Sequence, residues 1–355
     1  MKNKIKQLRE KRLAKKQQKA EEADRLPRIT NETVATHREE VLSGARKYIY
    51  PLQHSKHKVV TITTALFITA VLAFTTYCVV ALYKVQSTST FVYRVTQVLP
   101  FPIAREGSRF IAYENYLFEL RHYMHYYENE QKLSFKTESG KQQLDSYKKR
   151  ALDKVDADAR IKQIAKEKFI SVSDAEVDDQ IALSRAQNRL GGSSRVFEDV
   201  IREYYGWSLN DFRRSLKSQL LEEKVNAALD TDAKDKVALA TTAIKSGTPF
   251  ADVAKQYSED DATKATGGEL GVIDASNTAA SPQTIDALFK LKAGESSEPI
   301  IISYDSGYAF EIIKNIDGGS EKAKAAHIII RLKDIATYLN DQKEKQPTRR
   351  YIKLP

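Results

Sequence analysis

Cysteine is almost missing from this 355-residue chain: the one thiol, Cys78, lies inside an apolar run. That excludes a disulfide framework and thiolate metal ligands from the rest of the protein, whose core must be stabilised by burial alone. The six histidines (His37, His54, His57, His122, His125 and His327) show no zinc spacing. His122 and His125 are three apart with no further ligand in view, so a packed or solvated pair is expected and no metal site. Within the helical stretch from about Phe101 to Leu229 no glycine-rich phosphate cradle and no nucleophile–base pairing signal is present. No cofactor is implied.

Long hydrophobic runs are also scarce, with one exception. Val59–Tyr83 holds twenty-five residues and no charge. At about 1.5 Å per residue it can cross a hydrocarbon core of roughly 30 Å with some tilt. Fifty-eight residues precede it, and a signal peptide would have a shorter apolar region nearer the N-terminus. A single transmembrane helix is the expectation, with the lipid bilayer as its partner. Residues 1–58 carry sixteen Lys/Arg and seven Asp/Glu; the whole chain is +10, which leaves +1 beyond Lys58. Positive flanks stay in the cytoplasm. The reading is a cell-membrane protein with its N-terminus inside and its C-terminal domains outside. Because the basic charge belongs to the arm, nucleic acid is not an expected partner.

The arm, 1–58, reads as a disordered tether that fixes topology, transiently helical up to Pro27, with lipid attraction the lesser role. Residues 84–100 read as a linker. Helices then dominate 101–230. Apolar and aromatic residues fall at helical spacing from Tyr113 to Tyr127, and again from Leu144 to about Phe169. That aromatic stripe is either core or a surface for apolar peptide. Ser173 with Glu176 forms a capping-box pattern, Gly191-Gly192 a stop, Gly206 another stop, and Ser208 with Asp211 a further start.

The run ISVSDAEVDDQI followed by YGWSLNDFRRSLKSQLLEEKV resembles the helical chaperone domain of the SurA, PpiD and PrsA type foldases. The resemblance covers roughly Arg109–Val225 and implies non-native exported polypeptides as partners.

Residues 231–335 read as α+β. A helix over Ala233–Ser246 is followed by a short helix with Phe250, Val253, Ala254 and Tyr257. A glycine-containing loop leads into a strand, Ser281-Pro282 opens another helix, and strands lie near Ile300–Tyr304 and Tyr308–Lys314. The phrases Phe250-Ala251-x-x-Ala254-x-x-Tyr257-Ser258, Gly267-Gly268-Glu269-Leu270-Gly271, Phe289-x-Leu291-Lys292-x-Gly294-Glu295, Glu298-Pro299-Ile300 and Ser306-Gly307-Tyr308 resemble, in order, a parvulin-type peptidyl-prolyl isomerase domain. The resemblance implies an antiparallel sheet with helices and an active site on it. Asp260 matches the family's Cys/Asp position and Leu270 its pocket leucine, with Ile285 and Phe289 as further substrate-binding residues. The second-histidine position falls on Ala309, and no Met or aromatic residue stands in Ala279–Ile285.

No histidine-bearing strand precedes Ala233. Instead Ala325-Ala326-His327-Ile328-Ile329-Ile330 follows the last strand and matches the missing first one. In the family those strands are neighbours, so the expectation is a circularly permuted parvulin with His327 in the first-histidine place. The alternative is an ordinary edge strand. Residues 336–355 read as a mobile tail. Three functions stay open: an X-Pro isomerase using Asp260 and His327, a catalytically silent holdase using both domains for client binding, and a membrane scaffold with no clients.

Overall fold

The computed structural model describes residues 2–24, 30–49, 52–107, 109–186, 193–277 and 279–354. The Gly191-Gly192 stop and Pro27 lie outside them. The chain divides into two units, Met1–Cys78 and Val79–Pro355.

In the first unit, α1 (Lys2–Asp24) and α2 (Asn31–Ile49) are helices where disorder is the expectation. Lys, Gln, Ala, Glu and Arg are strong helix formers, so local propensity favours helix without packing. The described side chains of α1 and α2 are nearly all exposed. α3 (Leu52–Val79) carries the apolar run. Among the described residues one helical stretch, His57–Lys84, is long and apolar enough to cross a membrane, and its apolar window is 17% buried.

The second unit opens with α4 (Thr90–Val98), which replaces most of the expected linker. Ser89 caps it by accepting from the Val92 N–H, and Val92 and Thr96 are buried. Strands β1 (Pro102–Glu106) and β2 (Arg109–Ala112) follow. Helices α5 (Tyr113–His125), α6 (Glu138–Glu167), α7 (Asp174–Ala186), α8 (Ser194–Val200) and α9 (Leu209–Leu229) then build the helical body. The Ser208–Asp211 capping box is present in full, and Ser173 and Glu176 exchange the same pair of bonds. Gly206, at φ +68°, ends the turn after α8 as the sequence suggests. The aromatic stripe is core: Tyr113, Tyr116 and Leu117 are fully buried, and the Tyr113 hydroxyl donates to the Leu82 carbonyl. His122 and His125 hold the chain after α8 through Tyr205 O and Glu203 O. Among the described residues no cluster of three His, Cys, Asp or Glu side chains could hold a metal.

The rest is α10 (Thr231–Lys245), α11 (Phe250–Tyr257), β3 (Glu269–Asp274), α12 (Pro282–Lys290), β4 (Ile300–Tyr304), β5 (Gly307–Gly318), β6 (Lys322–Arg331), α13 (Ile335–Lys345) and β7 (Arg349–Arg350). A four-stranded antiparallel sheet has the order β3-β6-β5-β4. β6 is therefore internal. Its residues alternate between faces as a strand requires: Ala326, Ile328 and Ile330 pack with α10 and α11, while Ala325 and Ile329 point the other way, toward α12 and β4.

Two expectations fail here. The helical module is not all-α, because a three-stranded sheet of order β2-β1-β7 is built into it. The tail is not mobile either. α13 packs Ile335 and Leu339 against α6 and α9, β7 pairs with β1, and Ile352 is buried in the same core as Tyr113. Short polar segments carry no periodic signal of their own. Pairing with distant chain made the strand, and Ile352 and Leu354 supply the apolar contact that the local composition hides.

Candidate functional site

The site forms where β6 crosses between the loop after α11 and the strands β5 and β4. Three backbone contacts fix β6 there. His327 N–H donates to Gly268 O at 2.8 Å, Glu259 N–H to Ile329 O at 2.7 Å, and Ile329 N–H to the buried Ser258 hydroxyl at 3.2 Å. Gly268 sits at φ +82°, and a Cβ there would lie 2.1 Å from the His327 carbonyl oxygen. No side chain fits that approach. Gly268→Ala is therefore expected to push β6 from its place. The measurable outcome is changed backbone chemical shifts over 325–330 together with a lower melting temperature; unchanged shifts at His327 would refute the contact.

The imidazole of His327 lies between two carboxylates. Nε2 is 3.0 Å from Asp260 Oδ2 and 3.2 Å from Thr263 Oγ1; Nδ1 is 2.9 Å from Glu311 Oε1. Asp260 also accepts from the Tyr304 hydroxyl at 2.9 Å, from Thr263 Oγ1, and from the Ala262 N–H at 3.3 Å. Burial alone would raise this carboxyl, but those donors and His327 outweigh it and hold Asp260 down at about 2. For His327 burial pulls downward, yet bonds and charge from Glu311, then Asp260, leave the imidazole above its ordinary range. The pair is a carboxylate beside an imidazole inclined to carry charge.

Of the residues singled out in the sequence, Asp260 and His327 are thus in direct contact although sixty-seven residues apart. Leu270, Ile285 and Phe289 share one apolar cluster with Ile273, Leu288 and Ile313, on the sheet face of α12. Ile285 is buried within it; Leu270 and Phe289 are half-buried at its margin. Ala309 corrects differently. It is buried against Ile302 and Ile329 and pairs across from Arg331, away from the imidazole. The side chain that meets Nδ1 belongs to Glu311, two residues along the same face of β5. The residues overlooked in the sequence are Glu311, Thr263, Tyr304 and Thr284. Glu311 left one readable signal: a single charge inside the apolar run Tyr308–Ile313.

The helical body holds a separate concavity of about 520 Å³ between β2, α5, α6 and α9. Phe110, Ile111, Phe118, Val155 and Leu221 line it, with Glu119 among them. Burial raises the Glu119 carboxyl to about 6, with Asp158 adding to the shift.

Two family models match the chain. One, described as a SurA-like N-terminal domain, matches residues 52–226; the other, a PPIC-type PPIase domain, matches residues 220–317. Foldase protein PrsA of Caldanaerobacter subterraneus is 32% identical over 191 residues, covering 50% of this chain and 59% of that protein. Chaperone SurA of Yersinia pestis is 40% identical over 89 residues, 25% of this chain and 19% of that one. Foldase protein PrsA 1 of Bacillus cereus is 40% identical over 76 residues, covering 21% and 24%. The chain therefore spans well under two thirds of the length of each of these relatives. A crystal structure of a Bacillus anthracis PrsA aligns over 53% of this chain and 84% of its own at 22% identity, with a TM-score of 0.19.

Proposed function

The chain belongs to the PrsA- and SurA-like foldases, and from that premise we propose that it isomerises X-Pro bonds in non-native polypeptides and binds them through its helical body. The observation that carries the reading is the buried contact of His327 Nε2 with Asp260 Oδ2 at 3.0 Å.

Rotation about an X-Pro amide is slow because it breaks resonance, a barrier of about 18–20 kcal/mol. No nucleophile is needed. The planar amide owes its stiffness to a charge-separated form, negative on oxygen and positive on nitrogen. An anionic wall beside the carbonyl oxygen disfavours that form, and an apolar seat for the prolyl ring removes the water that would stabilise it. In this proposal Asp260, held ionised by Tyr304, Thr263 and His327, supplies the wall. Leu270 and Phe289 offer the apolar seat, with Ile285 supporting it from the core.

The proposal extends to chain order. β6 takes the place of the family's first strand, so the domain is circularly permuted. Its pairing with β5 supports this, as does the family match that stops at residue 317, before β6 begins. It extends also to location. The apolar stretch His57–Lys84 and the basic arm before it support a membrane anchor with the foldase domains outside the cytoplasm. The cavity beside Phe110 and Phe118 is the proposed seat for apolar client segments.

A second reading, a holdase without isomerase activity, rests on burial: Asp260 and His327 are only 6% and 7% exposed. The full chain in detergent micelles, assayed on a proline-containing peptide, separates the two. Uncatalysed isomerisation takes tens to hundreds of seconds. The expected result is clear acceleration, reduced about a hundredfold by Asp260→Ala. A wild-type rate equal to background would leave only the holdase.

A further inference from the structure

Glu311 is 1% exposed, and both of its carboxylate oxygens are engaged: Oε1 with His327 Nδ1 at 2.9 Å, and Oε2 with the Thr284 hydroxyl of α12. A carboxylate this deep is costly unless it is bonded and paired. Cross-strand geometry explains the pairing. Ile313 stands opposite His327 and Ile329 opposite Glu311, so Glu311 and His327 are diagonal neighbours on one face of the β5–β6 ladder. Thr284 is itself fixed, because the Ser281 cap accepts its N–H at 2.9 Å and meets its hydroxyl at 2.7 Å.

We propose that Glu311 is the positioning residue of this site: clamped by Thr284, it grips Nδ1 and turns the imidazole so that Nε2 faces Asp260. The chemistry follows from what a ring flip would do. Without an acceptor at Nδ1, a neutral imidazole can place its proton on either nitrogen, and only one choice donates to Asp260. With a carboxylate at each nitrogen the charged ring donates from both, and the grip of Glu311 on Nδ1 keeps Nε2 turned to Asp260. Two carboxylates then flank one imidazolium, and the site keeps a net negative charge. The charged groups facing the ring are Asp260, from the loop after α11, and Glu311, from β5. Tyr304 of β4 reaches it only through Asp260, with Arg331 of β6 lying 5.4 Å over the Tyr304 ring. From α12 the facing group in this network is Thr284, which does not titrate.

The inference rests on the isomerase reading for its effect on rate, but not for its effect on His327. Its test therefore has two readouts on the full-length protein. The first is nitrogen NMR of histidine-labelled protein, with the His327 signals assigned by their loss in His327→Gln. Glu311→Gln keeps shape and folding and is the main variant; Glu311→Ala is the second. In both, the His327 titration is expected to move down by roughly one to three pH units, with mixed tautomers appearing. The second readout is kcat/KM for prolyl isomerisation against pH, expected to fall about tenfold in Glu311→Gln, mostly in kcat, with KM held. An unchanged His327 titration and tautomer in Glu311→Gln overturns the proposal. A shifted imidazole in a protein with no isomerase rate would support the clamp and refute the enzymatic reading, so the two failures are distinct.

Discussion

His327→Ala is expected to lower kcat/KM for prolyl isomerisation by about a hundredfold, the size seen when one preorganised polar group is removed from an active site. The variant removes the partner of Asp260 Oδ2 and strands the Glu311 carboxylate in the interior. It should change the pH dependence of stability as well. The folded imidazole lies above its ordinary value of 6.5, so its stabilising contribution is fully present below that value and is lost as pH rises through the raised one. Asp260 has the opposite sign. Held at about 2, it contributes above its ordinary 3.8 and loses that contribution as pH falls through 2. Urea midpoints between pH 6 and 9 should therefore decline in the wild type and flatten in His327→Ala. Parallel profiles for the two proteins would contradict the charged-imidazole picture.

Arg160→Ala should cost about 3–5 kcal/mol, the penalty for breaking a buried ion pair from one side. Arg160 of α6 is 3% exposed. Its Nη1 lies 2.5 Å from Glu106 Oε1 as an ion pair rather than an aligned hydrogen bond. Its Nη2 donates to Gln346 O at 3.1 Å and Thr348 Oγ1 at 2.7 Å. One guanidinium thus ties together α6, β1 and the segment leading to β7. Without it, Glu106 is buried and unpaired, and burial already raises that carboxyl. Lys141 of the same helix, exposed and paired with the exposed Glu138, is the contrast, its replacement by Ala worth about 1 kcal/mol or less. The single tryptophan, Trp207, stacks on Phe118 and His122 within the helical body and reports its unfolding by fluorescence. Equal denaturation midpoints for the two variants would remove the central role given to Arg160.

Two members of the candidate site are legible in the sequence: Asp260 lies in a loop whose phrases have local causes, and His327 lies in a strand with strong apolar character; the structure brings them into contact. Glu311 is not legible in the same way. The resemblance directed attention to Ala309, and choosing between Ala309 and Glu311 requires the register of β5 on β6. That register depends on where Ile312 and Ile313 pack, on opposite faces of the sheet. The three-stranded sheet was hidden for a related reason. β7 is only Arg349–Arg350, exposed and basic, and becomes a strand because β1 offers its edge and Ile352 finds a core beyond it.

By itself the amino-acid sequence determined what depends on neighbours a few residues away: the long uncharged stretch, the caps at Ser208 and Ser281, the stop at Gly206, and the apolar runs of β5 and β6. Those are set by torsional preference, by hydrogen bonds within one turn and by apolar spacing. Only the tertiary structure decided which distant groups meet. It placed β6 between β3 and β5, set a carboxylate on each side of one imidazole, and folded residues 335–354 onto the helical body. Such contacts draw their energy from desolvation and pairing across the fold, which no local stretch of chain encodes.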